Sequence, residues 1–162
     1  MPHDPVMFTP IGVIRTPFAE IAGMPVQAVG AVGVPGTIEL DPAFAEGLAD
    51  LDGFSHLVLL YHLDRMAGAR LTVVPFLDDR PHGIFATRSP ARPNPIGMST
   101  VRLVGIDGTT VRVEDVDILD GTPLLDIKPY VPQLDDRADP RIGWYEGRVE
   151  RVHVVRADQR FR

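Results

Sequence analysis

Cysteine is absent from this chain, which excludes disulfides, thiolate metal sites, iron–sulfur clusters and a cysteine nucleophile. Lysine is nearly absent too: Lys128 stands alone against fifteen arginines. That bias favours the planar guanidinium, which grips phosphate or carboxylate through two hydrogen bonds, although a GC-rich coding bias explains it as readily. No run of eighteen apolar residues and no basic-then-apolar leader occurs, so no membrane partner is expected and the chain reads as cytoplasmic. The five histidines are scattered without HExxH or another ligand spacing, and no metal site is expected. Gly30, Gly33 and Gly36 do not form GxGxxG and lack a strand-then-helix frame, so a Rossmann nucleotide site is rejected.

Turn residues are what the chain has in excess. Glycine and proline make up 31 of its 162 residues, or 19%, against a usual total of roughly 12%. Prolines at this frequency interrupt long helices and disfavour a bundle. The length predicts a single domain over 1–162. The net charge of −6 makes nucleic acid a poor prior, and no DNA partner is expected. The charge is uneven, however: residues 80–113 hold five arginines and one acid, between acidic flanks.

The apolar pattern predicts short strands. They are Phe8–Ile14, Thr37–Leu40, Phe54–Leu63, Leu71–Val74, Gly83–Thr87, Met98–Ile106, Thr110–Val116 and 124–131. Phe54–Leu63 is the most apolar run and reads as a central strand buried on both faces. Asp107-Gly108 marks a hairpin, and residues 21–36 a long loop. Asp41-Pro42 reads as an N-cap opening a short helix near 42–50. Arg148–Arg156 alternates well enough for a last strand, with a short helix as the alternative. Many strands with one or two short helices predict an all-β barrel or sandwich.

Two stretches are unusual. His82–Ser99 places Arg88, Arg92, Asn94, two serines and three prolines in one stiff segment, suited to a preorganised polar site or to a rigid surface connection. Asp117–Tyr130 gathers three aspartates and Lys128 around the turn Asp120-Gly121-Thr122-Pro123, but the 117/120/126 spacing matches no calcium loop. Lys128 is an ion-pair partner or chance. His56 and His62 fall on one face of their strand, and His62, beside Asp64, has the better case for a catalytic role. Asp78-Asp79-Arg80 reads as a solvated turn, and Trp144-Tyr145 as a core edge or an oligomer contact.

Four blocks, in order and spacing, carry a resemblance: IGVIRTPF at 11–18, LDGFSHLVLLYH at 51–62, GIFATRSPARPNPIGMS at 83–99 and DGTPLLDIKPYVP at 120–132. Together they resemble the TsaA/TrmO family of β-barrel, S-adenosylmethionine-dependent tRNA methyltransferases. The resemblance covers about 8–133, leaves 134–162 as a C-terminal extension, and looks like a short form without the additional domain of longer members. It implies a barrel unlike the Rossmann methyltransferases, a homodimer, and methylation of N6 of threonylcarbamoyl-adenosine beside the anticodon of tRNA. It implies a cofactor pocket at Pro25, Gln27, His62, Leu63, Arg88, Asp120, Gly121 and Thr122, with Arg92, Asn94 and Lys128 toward the substrate. Where the family often reads Pro-Arg-Gln, this chain has Pro25-Val26-Gln27. A general base is desirable because the attacking nitrogen loses a proton; His62 or an aspartate is the expectation. The arginines of 80–113, joined across the dimer, would form the RNA face. A cofactor-binding module without catalysis, and a methyltransferase for a small molecule or another RNA, are the alternatives.

Overall fold

The computed structural model describes residues 3–161. Residues 1, 2 and 162 of the expected domain lie outside the described residues. Six strands close into an antiparallel barrel: β1 (Gly12–Arg15), β2 (Pro35–Leu40), β3 (His56–His62), β6 (Ile96–Asp107), β7 (Thr110–Glu114) and β8 (Thr122–Pro129). Their order is β1-β2-β7-β6-β3-β8, and β8 pairs back on β1 (Gly12 with Leu124), so no strand edge is left open. The twelve-residue β6 is the long member; its first half pairs with β3 and its second with β7. Asp107 pairs with Thr110 across the hairpin expected at Gly108.

Alternation fills the barrel. On β3 the inward positions Leu57, Leu59 and Tyr61 are buried and meet Ile14, Ile38, Val101, Val111, Val113 and Leu124 in one core. The outward positions Val58 and Leu60 are only half-buried and His62 is exposed, so the expectation of burial on both faces is corrected: a barrel strand has an outside. The predicted helix near 42–50 is a 3-10 helix, Pro42–Leu48, with the Asp41 carboxylate accepting from the Ala43 N–H (2.9 Å).

A flanking region packs beside the barrel. A two-stranded sheet, β4 (Thr72–Val73) with β5 (His82–Gly83), and a 3-10 turn at Ile84–Ala86 replace the two strands predicted over 71–74 and 83–87. Val73, Ile84, Ala91 and the C-terminal Phe161 form a second small core, with Met66 and Phe76 against it. The predicted strand Arg148–Arg156 is a 3-10 helix, Val149–His153. Its alternation has no sheet to serve: Val152 is buried while Val154 is 75% exposed. An isolated bridge, Arg156 to Pro25, and the Gly23 N–H donating to the Ala157 carbonyl (2.8 Å) tie this tail to the loop that precedes β2. A single α-helical turn, α1 (Pro132–Asp135), follows β8. Among the described residues no helix is long and apolar enough to cross a membrane.

Candidate functional site

Barrel and flanking region meet at a cavity of about 330 Å³. The barrel supplies Tyr61, Leu63, Ile96, Gly97, Met98, Thr122 and the 117–119 segment; the flanking region supplies Met66, Phe76, Thr87–Pro90, Arg92, Tyr145 and Ala157. The loop before β2 contributes Met24, Pro25 and Gln27. Mostly apolar walls with a few convergent polar groups are the usual character of a small-molecule site.

A row of polar side chains joins β3, β6 and the segment between β7 and β8. Ser99 Oγ donates to Asp117 Oδ1 (2.5 Å), and because a serine has one proton, the Tyr61 hydroxyl donates to Ser99 Oγ (2.8 Å). Burial pushes the Asp117 carboxyl up to about 6, against the opposing effects of the Ser99 hydrogen bond and the nearby Arg88. Burial, and then the negative charge of Asp117, hold the Tyr61 phenol protonated well above its ordinary range. Gly97 is required opposite Tyr61: the two pair across β3 and β6, and a Cβ on Gly97 would overlap the phenol ring.

At the cavity rim Arg88 Nη1 donates to Gln27 Oε1 (3.1 Å). Arg92 also lines the cavity, but its Nη1 reaches the carbonyls of Thr87 (2.7 Å), Ile84 (3.2 Å) and Ser89 (3.4 Å). It braces the segment that presents Arg88. The turn at 120–122 is braced by Thr16 and by Arg65, which also lines the cavity. Asp120 Oδ1 accepts from the Thr16 N–H (3.1 Å), and Arg65 Nη2 donates to the Asp120 carbonyl (2.6 Å). Gly121 holds φ of 80°, a left-handed conformation that suits glycine. Thr122 is the turn residue that reaches the cavity wall; its Oγ1 donates to the Leu119 carbonyl (2.7 Å).

The structure thus brings Pro25, Gln27, Leu63, Arg88, Arg92 and Thr122 to one cavity, with Asp120 and Gly121 immediately behind it. Three more of the expected residues do not line it. The His62 side chain points to the barrel exterior, because its neighbour Tyr61 takes the inward position of the strand. Asn94 lies exposed outside the lining; its carbonyl accepts from the Ile96 N–H (2.8 Å) as β6 begins. Lys128 stands on the outer side of β8, 61% exposed and paired with Asp126 (2.7 Å). Of the arginines of 80–113, Arg88 and Arg92 reach the cavity, whereas Arg102 pairs with Glu114 across β6 and β7.

Asp78 is not a solvated turn residue either. His82 Nε2 lies 2.7 Å from its Oδ2 and Arg148 Nε 3.4 Å from its Oδ1, and the His82 contact holds this carboxyl well below the usual range. His82 in turn stacks on Trp144 (4.5 Å) and Trp144 on Tyr145 (4.0 Å), which places Tyr145 against the cavity. Among the described residues no three of His, Asp and Glu are grouped to hold a metal.

Tyr61 and Ser99 are the site residues that motif reading passed over, and Asp117 was noticed only as one of three aspartates. The signal was available for one of them: Leu57, Leu59 and Tyr61 share a strand parity opposite to His56 and His62.

Comparisons with known proteins agree with this geometry. The sequence profile of the tRNA-methyltransferase O N-terminal domain matches residues 13–136. A probable S-adenosyl-L-methionine-binding protein of Pyrococcus abyssi is 52% identical over 156 residues, covering 96% of this chain and 85% of that protein. The tRNA (adenine(37)-N6)-methyltransferase of Escherichia coli K12 is 38% identical over 142 residues, 82% of this chain and 60% of that enzyme. The crystal structure of TrmO from Pseudomonas aeruginosa superimposes with a TM-score of 0.73 at 40% identity, over 89% of this chain and 63% of that one. This chain therefore spans less than two thirds of the last two proteins. A matched profile over most of the barrel, a close relative along nearly the whole length and a shared closed barrel lead to one conclusion: the chain belongs to the TsaA/TrmO family.

Proposed function

We propose that this protein is an S-adenosylmethionine-dependent methyltransferase that methylates N6 of threonylcarbamoyl-adenosine in tRNA. The observation that carries the reading is the cavity itself, in which arginines, an amide and carboxylates converge between apolar walls. One arginine and the amide fit the cofactor's parts. The Arg88 guanidinium suits the carboxylate of its amino-acid end, and Gln27 suits a polar edge of the adenine or ribose. Leu63, Met98 and Leu119 offer apolar surface to the rest. When bound, the cofactor supplies a methyl group on a positively charged sulfur, already a strong electrophile. What remains for the chain is to align the acceptor nitrogen, exclude water and remove a proton.

For the RNA, the supporting feature is local. Phe85 is 75% exposed in the segment that ends at the cavity, with the Arg92 guanidinium 6.0 Å from its ring centroid, an arrangement suited to stacking an unpaired base. A homodimer belongs to the same proposal: Ile96 and Met98 are apolar and nearly half exposed where β6 borders the cavity, a surface a second copy would cover. Action on tRNA implies a cytoplasmic site of work.

The test pairs calorimetry with label transfer. The wild type is expected to bind S-adenosylmethionine and to pass its labelled methyl to tRNA. Arg88→Ala is expected to weaken cofactor binding by about 1.5–3 kcal/mol, the range for hydrogen bonds to charged groups. Unchanged affinity in a folded variant would remove Arg88 from the site. Cofactor binding without any methyl transfer would favour a binding module, and transfer to a small molecule instead of tRNA a different substrate.

A further inference from the structure

An N–H nitrogen that gains a methyl must lose its proton, and the cavity contains one carboxylate whose surroundings suit that task. Asp117 is carried by the segment between β7 and β8 and lines the cavity. Three elements present polar groups to it: Tyr61 from β3, Ser99 from β6 and Arg88 from the segment between β5 and β6. Among the described residues Ser99 is the one side chain that hydrogen-bonds to it, on Oδ1, and no side chain engages Oδ2. Every donor in this row points the same way, from Tyr61 to Ser99 to Asp117, so the carboxylate sits at the accepting end. Asp64 also lines the cavity but lies exposed, and neither His62, on the barrel exterior, nor Asp120, engaged with the Thr16 N–H, competes for the role.

We propose that Asp117 is the general base of methyl transfer, with Ser99 and Tyr61 as the residues that position it. The inference rests on the function proposed above. As the bond from the acceptor nitrogen to the methyl carbon forms, the carbon–sulfur bond breaks with its electron pair on sulfur, and the nitrogen's proton passes to Asp117. Charge balances without another reactant: the positive charge on sulfur is lost, and the carboxylate is neutralised. A base that is mostly ionised at neutral pH, yet more basic than an exposed carboxylate, is matched to this work.

Asp117→Asn keeps the shape and an oxygen that can accept from Ser99. Calorimetry is expected to find wild-type affinity for S-adenosylmethionine in this variant. Methyl transfer is expected to fall on the order of 10²–10⁴-fold, the usual contribution of a general base. The wild-type rate should decline as pH falls through about 6, and the variant's residual rate should lack that limb. Ser99→Ala removes a donor that stabilises the anion, so its limb should move to higher pH.

A second readout needs no substrate. The folded-state value lies above the unfolded one, so the native state holds the extra proton between them. Wild-type stability should therefore fall as pH rises from ordinary carboxylate values through about 6, and Asp117→Asn should lose that slope. Transfer at the wild-type rate by Asp117→Asn would overturn the assignment, as would an affinity loss that matches its rate loss, which would make Asp117 a cofactor ligand. A wild type that keeps the stability slope but transfers no methyl would refute the proposed function, and the assignment with it.

Discussion

The barrel and the region beside it are held together by different groups, and the difference separates folding from binding. In the barrel every strand has two neighbours, so the backbone satisfies itself, and the interior is filled by fully buried Ile14, Ile38, Leu57, Leu59, Val101 and Leu124. The flanking region has one two-residue ladder and a small core. Much of its irregular backbone is satisfied by side chains instead. Eight arginines of the chain (65, 70, 92, 137, 148, 151, 156 and 160) donate to backbone carbonyls. A guanidinium has five donors in a fixed plane and can bridge two or three carbonyls at once, which an ammonium does less well. Arg160 shows the pattern in full. It donates to Pro75 O (2.8 Å), forks onto Asp158 through Nε and Nη2, and lies 5.2 Å from the Phe76 ring centroid. The fifteen-to-one excess of arginine over lysine thus has a structural use beyond any phosphate contact.

This comparison can be broken or sharpened by substitution. The largest effect is expected in the barrel: Leu59→Ala, at a wholly buried position, should cost about 2–5 kcal/mol of global stability in thermal or denaturant unfolding. A smaller and more local effect is expected from Arg160→Ala. It should cost about 1–2 kcal/mol, the worth of a charged group's hydrogen bonds discounted for partial exposure. Hydrogen exchange should show it as faster amides in 66–91, with the barrel amides unchanged. If the barrel loosens equally, the two regions are one cooperative unit and the distinction fails. The smallest effect is expected at His62. His62→Ala should stay within about 0.5 kcal/mol in stability, as an exposed position does, and should leave methyl transfer intact. A large loss of transfer there would restore the role its residue type suggested.

The barrel was legible because its signals are local. Val101 and Leu103 against Arg102, and Val111 and Val113 against Arg112, fix strand phase within a few residues, and Asp107-Gly108 fixes the turn between them. The cavity was legible as far as motifs reach: Arg88 and Thr122 come from blocks that resemble a family, Gln27 from the loop position set against it, and all three line the cavity. The Tyr61–Ser99–Asp117 row was not legible, because it is assembled across three elements by register and no short spacing encodes it. Residue type misled at the same spot. His62 attracted attention as a titratable group, while the inward parity of β3 gave the position to Tyr61. In the tail, RVERVHVVR has the period of a strand, but the barrel was already closed and offered it no edge. The chain instead follows a 3-10 path that buries Val152 and brings Ala157 to the cavity, its N–H donating to Met24 O (2.7 Å).

The central claim is that the cavity between these regions transfers a methyl group to N6 of threonylcarbamoyl-adenosine. The most direct measurement is mass spectrometry of nucleosides from tRNA lacking that methyl, after incubation with the purified protein and S-adenosylmethionine. The account predicts that threonylcarbamoyl-adenosine is converted to a species carrying one additional methyl, and that omitting the cofactor abolishes the conversion. Cofactor bound by the protein with every tRNA nucleoside unchanged would contradict it.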